Sequence, residues 1–183
     1  MSLPVLNLST LQNLAVFILE QDNEKLSRLM QTFAKNRDQV QIVTNERSKH
    51  LYESYPNVQT TYDSNKCEAI RGTTFIFDDC FNDCEWMRDR KLNTWISYPR
   101  TLGLTSVLGF RHLCGIPPRM RCELDLICIG ANPPLATRKK IHDAFFFYLL
   151  PFEELCELLD KYTTGDGFLV LRREGTEDRL YCA

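Results

Sequence analysis

A chain of 183 residues favours one domain, and 44% hydrophobic content is ample for a core. Twenty-two lysines and arginines stand against 24 aspartates and glutamates, a formal charge of −2, and the basic residues form no tail. That balance argues against an autonomous DNA binder, so any DNA contact has to come from a local patch or from several copies together.

Residues 1–13 are too short and irregular to assign; they form a candidate N-terminal arm, of the kind that docks on a neighbour. Leu14 to Leu19 is a continuous apolar run, the pattern of a strand buried on both faces. Asp22 and Glu24 then place carboxylates where a helix begins, and Leu26, Leu29, Met30 and Phe33 recur at helical spacing to about residue 36. Val40 to Thr44 is a second strand, and Asn45 to Tyr55 reads as a helix stopped before Pro56. Thr73 to Phe77 is a third strand running into Asp78-Asp79, and Glu85 to Leu92 is polar and helix-compatible. Leu102 to Phe110 contains a fourth strand and Leu124 to Ile129 a fifth. Helices are expected over Thr137–Tyr148 and Phe152–Tyr162, and a last core strand over Phe168–Leu171 after the Thr163–Gly167 turn. Strands alternating with helices mean a central, mainly parallel sheet with helices on both faces, here a three-layer α/β domain over residues 1–183.

The eight cysteines sit mostly inside apolar runs, as in Leu126-Ile127-Cys128-Ile129, which suits buried thiols better than a disulfide framework. The N-terminus has no signal-peptide pattern, and no apolar run approaches the ~20 residues of a membrane span. The expectation is a soluble protein of a reducing compartment.

Phe75-Ile76-Phe77-Asp78-Asp79-Cys80 carries the most chemistry. An apolar strand ending in two acids is what a nucleotide hydrolase uses: the first carboxylate reaches magnesium and the second orients the attacking water. A strand ending in an acidic turn, with Asp79 capping a helix, is the simpler alternative. The context decides between them. The FDDC run, Trp86-Met87-Arg88-Asp89-Arg90, Gly115-Ile116-Pro117-Pro118 and Arg138-Lys139-Lys140 together resemble the DNA-packaging ATPase of nucleocytoplasmic large DNA viruses, in the FtsK–HerA branch of P-loop ATPases. The resemblance covers about Thr73 to Leu171. It implies a P-loop NTPase-like fold, with Asp78 as the magnesium-site acid and Asp79 as the catalytic acid. Arg100 matches the arginine that stabilises transferred phosphate across a ring interface. Arg111 stands where that family has a strand-end glutamine, and arginine only donates where glutamine also accepts.

The larger departure is upstream. A P-loop reads G-x-x-x-x-G-K-[ST], because backbone N–H groups must approach the phosphates closely. Here Glu20-Gln21-Asp22-Asn23-Glu24-Lys25-Leu26 follows the first strand. Lys25 keeps the place of the lysine, but the glycines are gone and Leu26 replaces the magnesium-binding hydroxyl. Glu20, Asp22 and Glu24 would set carboxylates against a triphosphate, each costing several kcal/mol at ~4 Å. A degenerate site of Lys25, Asp78 and Arg111 remains, and an ordinary helix start explains the segment better than a phosphate loop.

Other candidates are thinner. Cys80, Cys84 and the neighbouring Asp83 lack a second Cys/His pair for zinc. The three histidines are scattered, and nothing selects a nucleophilic cysteine. Arg88, Arg90 and Lys91, and likewise Arg119 and Arg121, suit a phosphate backbone or a solvated helix face.

The resemblance with its lost loop implies a catalytically impaired homologue serving as a structural or assembly protein, such as a minor virion or capsid component. No cofactor is expected. One alternative is an active Mg-ATP-dependent packaging ATPase using Asp78, Asp79, Arg100 and Lys25; another is a subunit lending Arg100 in trans. Expected partners are virion, capsid or packaging subunits in a homo- or hetero-oligomer, with DNA reached through an assembled surface. The expected location is the host cytoplasm, at the virus assembly site, or the virion.

Overall fold

The computed structural model describes residues 2–35, 37–60, 63, 66–79, 88–113, 118–130, 133–175 and 177–183. The first apolar run forms β1, Ala15–Leu19, buried at every position. It lies mid-sheet with both faces covered, so no polar alternation survives. Helix α1, Asn23–Ala34, starts at Asp22, whose side chain accepts the Lys25 N–H. Its Leu26, Leu29, Met30 and Phe33 are buried, as their spacing predicts.

β2 spans Val40–Thr44 as expected. The helix expected over Asn45–Tyr55 does not form; turns lead into a single 3-10 segment, Lys49–Tyr52. Asn45 diverts the backbone locally, its side chain accepting the Ser48 N–H, while Tyr52 is drawn into the core. A short strand not foreseen, β3 (Val58–Gln59), pairs parallel with β2.

β4 is Thr74–Asp78. α2, Arg90–Ser97, is capped by Asp89; residues 85–87 of the helix expected there lie outside the described residues. α3, Pro99–Leu102, ends at Gly103 in the left-handed conformation (φ 67°), leading to β5, Thr105–Phe110. α4 is Pro118–Glu123 and β6 is Leu126–Ile129. The helix expected over Thr137–Tyr148 is α5, Leu135–Ile141, running into a π-helical turn, His142–Phe146. α6, Phe152–Tyr162, matches its expected span. The last core strand is longer than expected: β7, Leu169–Glu174, turns at Gly175 (φ 67°) into β8, Glu177–Cys182.

The strand order is β3-β2-β4-β5-β1-β6-β7-β8. Pairs from β3 to β6 are parallel; β7 and β8 are antiparallel. On one face α2, α4, α5 and α6 cover Phe17, Phe75, Phe77, Phe110 and Ile127. Trp95 stacks on Phe75 there, centroids 4.5 Å apart, which gives this tryptophan its core role; Trp86 lies outside the described residues. On the other face α1, Leu8 and Tyr52 cover Val16, Ile18, Ile42, Ile76 and Val107. Fully burying each such side chain contributes roughly 1.5–3 kcal/mol.

The N-terminal arm packs along the end of its own chain. Val5 bridges Cys182, the Leu6 N–H donates to the Cys182 carbonyl, and the Cys182 N–H donates to the Pro4 carbonyl, both at 2.9 Å. Cys67 and Cys128 are buried free thiols, whereas Cys122 is exposed; Cys80, Cys84 and Cys114 lie outside the described residues. Among the described residues no helix is long and apolar enough to cross a membrane.

Gly130, just past β6, is required by packing. A Cβ there would overlap the Phe168 ring and Glu20 Oε2. Gly130→Ala should therefore lower the unfolding free energy by roughly 1–3 kcal/mol, read from the urea midpoint. An unchanged midpoint would contradict this close approach.

Candidate functional site

The carboxyl ends of the parallel strands gather Glu20 and Lys25 after β1, Asp78 and Asp79 at the end of β4, Arg111 after β5 and Gly130 after β6. This is the edge where ligands bind in open α/β sheets. The acids of β4 do not lie beside the end of β1. β5 intervenes, with Gly109 in register with both Asp78 and Ile18.

Glu20, Asp22 and Glu24 have unlike fates. Asp22 is an exposed helix cap, and Glu24 is an exposed partner of Arg28. Glu20 is 3% exposed and turns back onto its own turn. Its Oε1 accepts the N–H groups of Gln21 (2.7 Å) and Asp22 (3.0 Å). Its Oε2 lies 3.1 Å from the Lys25 ammonium. That contact is an ion pair without a directed hydrogen bond: among the described residues Oε2 has no hydrogen-bond donor, and the ammonium donates to the Gly130 and Gly167 carbonyls, each at 3.0 Å. Lys25 also lies over the Phe168 ring, 4.6 Å from its centroid. Two N–H groups of the turn after the first strand and the adjacent ammonium thus already face a carboxylate.

Asp78 is turned the other way, toward β2, and is buried. Its Oδ2 accepts from Tyr52 (2.8 Å), Ser27 (2.9 Å) and Thr44 (3.4 Å). Burial pushes the Asp78 carboxyl above its ordinary range, the Tyr52 and Ser27 hydroxyls pull it back, the Asp79 charge pushes it up, and Thr44 opposes. Burial and then Asp78 push the Tyr52 hydroxyl far upward, so it remains a donor.

Asp79 sits at φ 45°, a left-handed conformation that aspartate tolerates better than most residues. Its Oδ2 accepts the Arg111 Nε–H and forms an ion pair with a terminal nitrogen of the same guanidinium. Arg111 therefore reaches the acid pair, but as the counter-ion of Asp79. Arg100 is not brought to this edge. It lies on α3 at the amino ends of the strands, bonded at 2.6 Å to Asp125, whose other oxygen caps the Ala15 N–H. Lys25, Asp78 and Arg100 consequently occupy three separate environments.

Ser27, Thr44 and Tyr52 escaped the sequence reading. Leu26 does replace the expected hydroxyl, but Ser27 supplies one to Asp78 from the next position. The one available signal was a serine within the apolar stripe of α1. The Thr44–Asp78 register and the inward turn of Tyr52 have no local signature. Among the described residues no group of three or more His, Cys, Asp or Glu side chains is placed to hold a metal; Cys80, Asp83 and Cys84 lie outside them.

The Asp78 carboxyl predicts a pH dependence. Its folded pKa is raised, so its contribution is fully present below the ordinary aspartate value of about 3.9 and is lost as pH rises through the folded value. Urea midpoints across that range should fall less steeply in Asp78→Asn than in the parent. Parallel curves would show that Asp78 is not the linked group.

No protein family and no curated protein matches the sequence. Solved structures do match. The DNA-packaging ATPase B204 of Sulfolobus Turreted Icosahedral Virus superposes with a TM-score of 0.61 at 13% identity, over 92% of this chain and 97% of that one. The genome-packaging NTPase of Sulfolobus turreted icosahedral virus 2, in complex with AMPPCP, gives 0.61 at 14% identity over 92% and 96%. In complex with ATP-γS, that NTPase gives 0.61 at 13% over 92% and 96%. With its mostly parallel eight-stranded sheet and flanking helices, the chain has the P-loop NTPase-like α/β fold of these packaging ATPases.

Proposed function

We propose that this chain is a catalytically impaired homologue of a viral DNA-packaging ATPase that acts as a structural or assembly protein. The observation that carries the reading is the Glu20 carboxylate, seated on the Gln21 and Asp22 N–H groups and beside the Lys25 ammonium. Those are the kinds of group a phosphate loop turns toward its ligand. A phosphate arriving there meets a buried negative charge in place of open donors, and the repulsion grows as the local dielectric falls.

The acid pair supports the same reading. Asp78 is enclosed by three hydroxyl donors, and a cation would have to displace them. Asp79 is held by Arg111, which opposes its use as a base toward water. Magnesium triphosphate does not fit these residues, so no catalytic step is assigned to them. The partners we assign are virion, capsid or packaging subunits, or further copies of this chain, at the assembly site in the host cytoplasm or in the virion.

A second reading is an active ATPase, favoured by the gathering of Asp78, Asp79 and Arg111 at the ligand edge of the sheet. It requires magnesium-dependent hydrolysis that Asp79→Ala abolishes. A third lends Arg100 in trans; the Arg100 side chain is 65% exposed at the opposite edge, where only another subunit would use it.

Calorimetry separates the first reading from the second. ATP titrated to about millimolar concentration, with and without magnesium, should release no heat and leave the melting temperature unchanged. Micromolar binding would overturn the assignment of Glu20 as the resident anion.

A further inference from the structure

We propose that His142 is a pH-dependent latch that, in its protonated form, holds the turn of residues 147–151 and the aromatic pair displayed on it. The π-helical turn His142–Phe146 runs into these residues, which lead at once into α6. Phe147 and Tyr148 are 65% and 51% exposed, and their rings meet edge to face with centroids 5.2 Å apart. His142 itself is buried at the start of the π-helical turn, and its ring reaches forward to Leu150.

Both ring nitrogens of His142 face acceptors. Nε2 lies 3.0 Å from the Leu150 carbonyl in a buried contact, and Nδ1 lies 3.2 Å from Asp143 Oδ1. Only the imidazolium carries a proton on each nitrogen, so only that form satisfies both contacts. The neutral ring has one N–H for two acceptors. With the proton on Nδ1, the Leu150 carbonyl faces a lone pair. With it on Nε2, the bond to Leu150 survives without its charge, and charge-assisted hydrogen bonds are roughly twice as strong as neutral ones. In either tautomer the hold on Leu150 weakens as pH rises, and histidine is the side chain that changes charge between about pH 5 and about pH 8.

The surroundings leave His142 as the group that switches. Among the described residues the charged groups beside its ring are Asp143, on the same π-helical turn, and Lys139 of α5, which shares Asp143 Oδ1 at 3.1 Å. α6 presents the uncharged Phe152 ring, in edge contact at 5.7 Å. His142 and then Lys139 hold the Asp143 carboxyl below its ordinary range, so it stays ionised where a histidine titrates. The second tether of the turn is the Tyr148 hydroxyl, which donates to Asp178 of β8. Burial and then that bond push this hydroxyl upward, so it remains a donor over the same range. One tether is fixed and the other answers to pH.

The latch is independent of nucleotide binding, so the two proposals can fail separately. The test is NMR of the full chain between about pH 5 and about pH 8, following imidazole and backbone amide signals. The amides of Phe147 to Leu150 should titrate with the His142 imidazole. Leu149 and Leu150 both donate their amides to the Phe146 carbonyl, and their exchange protection, corrected for the intrinsic rate, should fall about fivefold toward the alkaline end. Asp143→Asn, at an exposed position, should move the shared midpoint to lower pH. His142→Gln can still donate to Leu150 but carries no charge, and should abolish the titration of the turn. An imidazole that keeps one charge state across the range, or that titrates while the turn amides stay still, would overturn the proposal. So would turn amides that titrate alike in His142→Gln and the parent, or a midpoint unmoved in Asp143→Asn.

Discussion

The carboxyl edge of this sheet is organised around a buried ion pair. Glu20 and Lys25 are 3% and 7% exposed, and two charges removed from water persist only when their remaining polar atoms are also engaged. Glu20 meets this demand with two N–H groups of its own turn, and Lys25 with the carbonyls of Gly130 and Gly167. The ammonium therefore ties α1 to the end of β6 and to the turn before β7. Losing either partner would strand the other charge, at a cost of about 3–5 kcal/mol. The same pair explains Gly130, whose missing Cβ leaves room for the carboxylate and the Phe168 ring.

A second buried charge is handled with neutral donors. Three hydroxyls from three separate segments converge on one oxygen of Asp78. Asp79, one residue later, turns away through a left-handed backbone and meets Arg111. The chemistry expected of an acid pair, one member on a metal and one on water, is here divided between a hydroxyl cage and an ion pair. This division and the resident carboxylate of Glu20 are distinct features that support the same functional reading.

None of these arrangements enters the core. The apolar layers on the two faces of the sheet rest on Phe17, Phe75, Ile18, Ile76 and their neighbours, which lie within the strands and not at their ends. Loop chemistry can therefore change while the fold persists, the general reason that fold and function are separable. The fold itself matches packaging ATPases at 13–14% identity, a level at which burial pattern outlasts residue identity.

Periodicity was sufficient for much of the architecture. The runs at Leu14–Leu19 and Val40–Thr44 and the helix at Phe152–Tyr162 were legible because burial on both faces, or on one helical stripe, leaves a repeat in the chain itself. The acid pair at the end of β4 was legible for the same reason. β8 was not, since Glu177–Cys182 mixes charged and apolar residues and is held as a strand by β7 and the N-terminal arm. The Asn45–Tyr55 segment misled because local side-chain bonds and the burial of Tyr52 outweighed helix propensity. The destinations of the charges were the least legible feature. Lys25 keeps the place of a phosphate-loop lysine and Arg111 that of a strand-end glutamine, yet one faces Glu20 and the other Asp79. A residue's type and spacing are written locally, whereas the partner of a buried charge depends on register and crossover between strands far apart in the chain, and those exist only once the sheet has assembled.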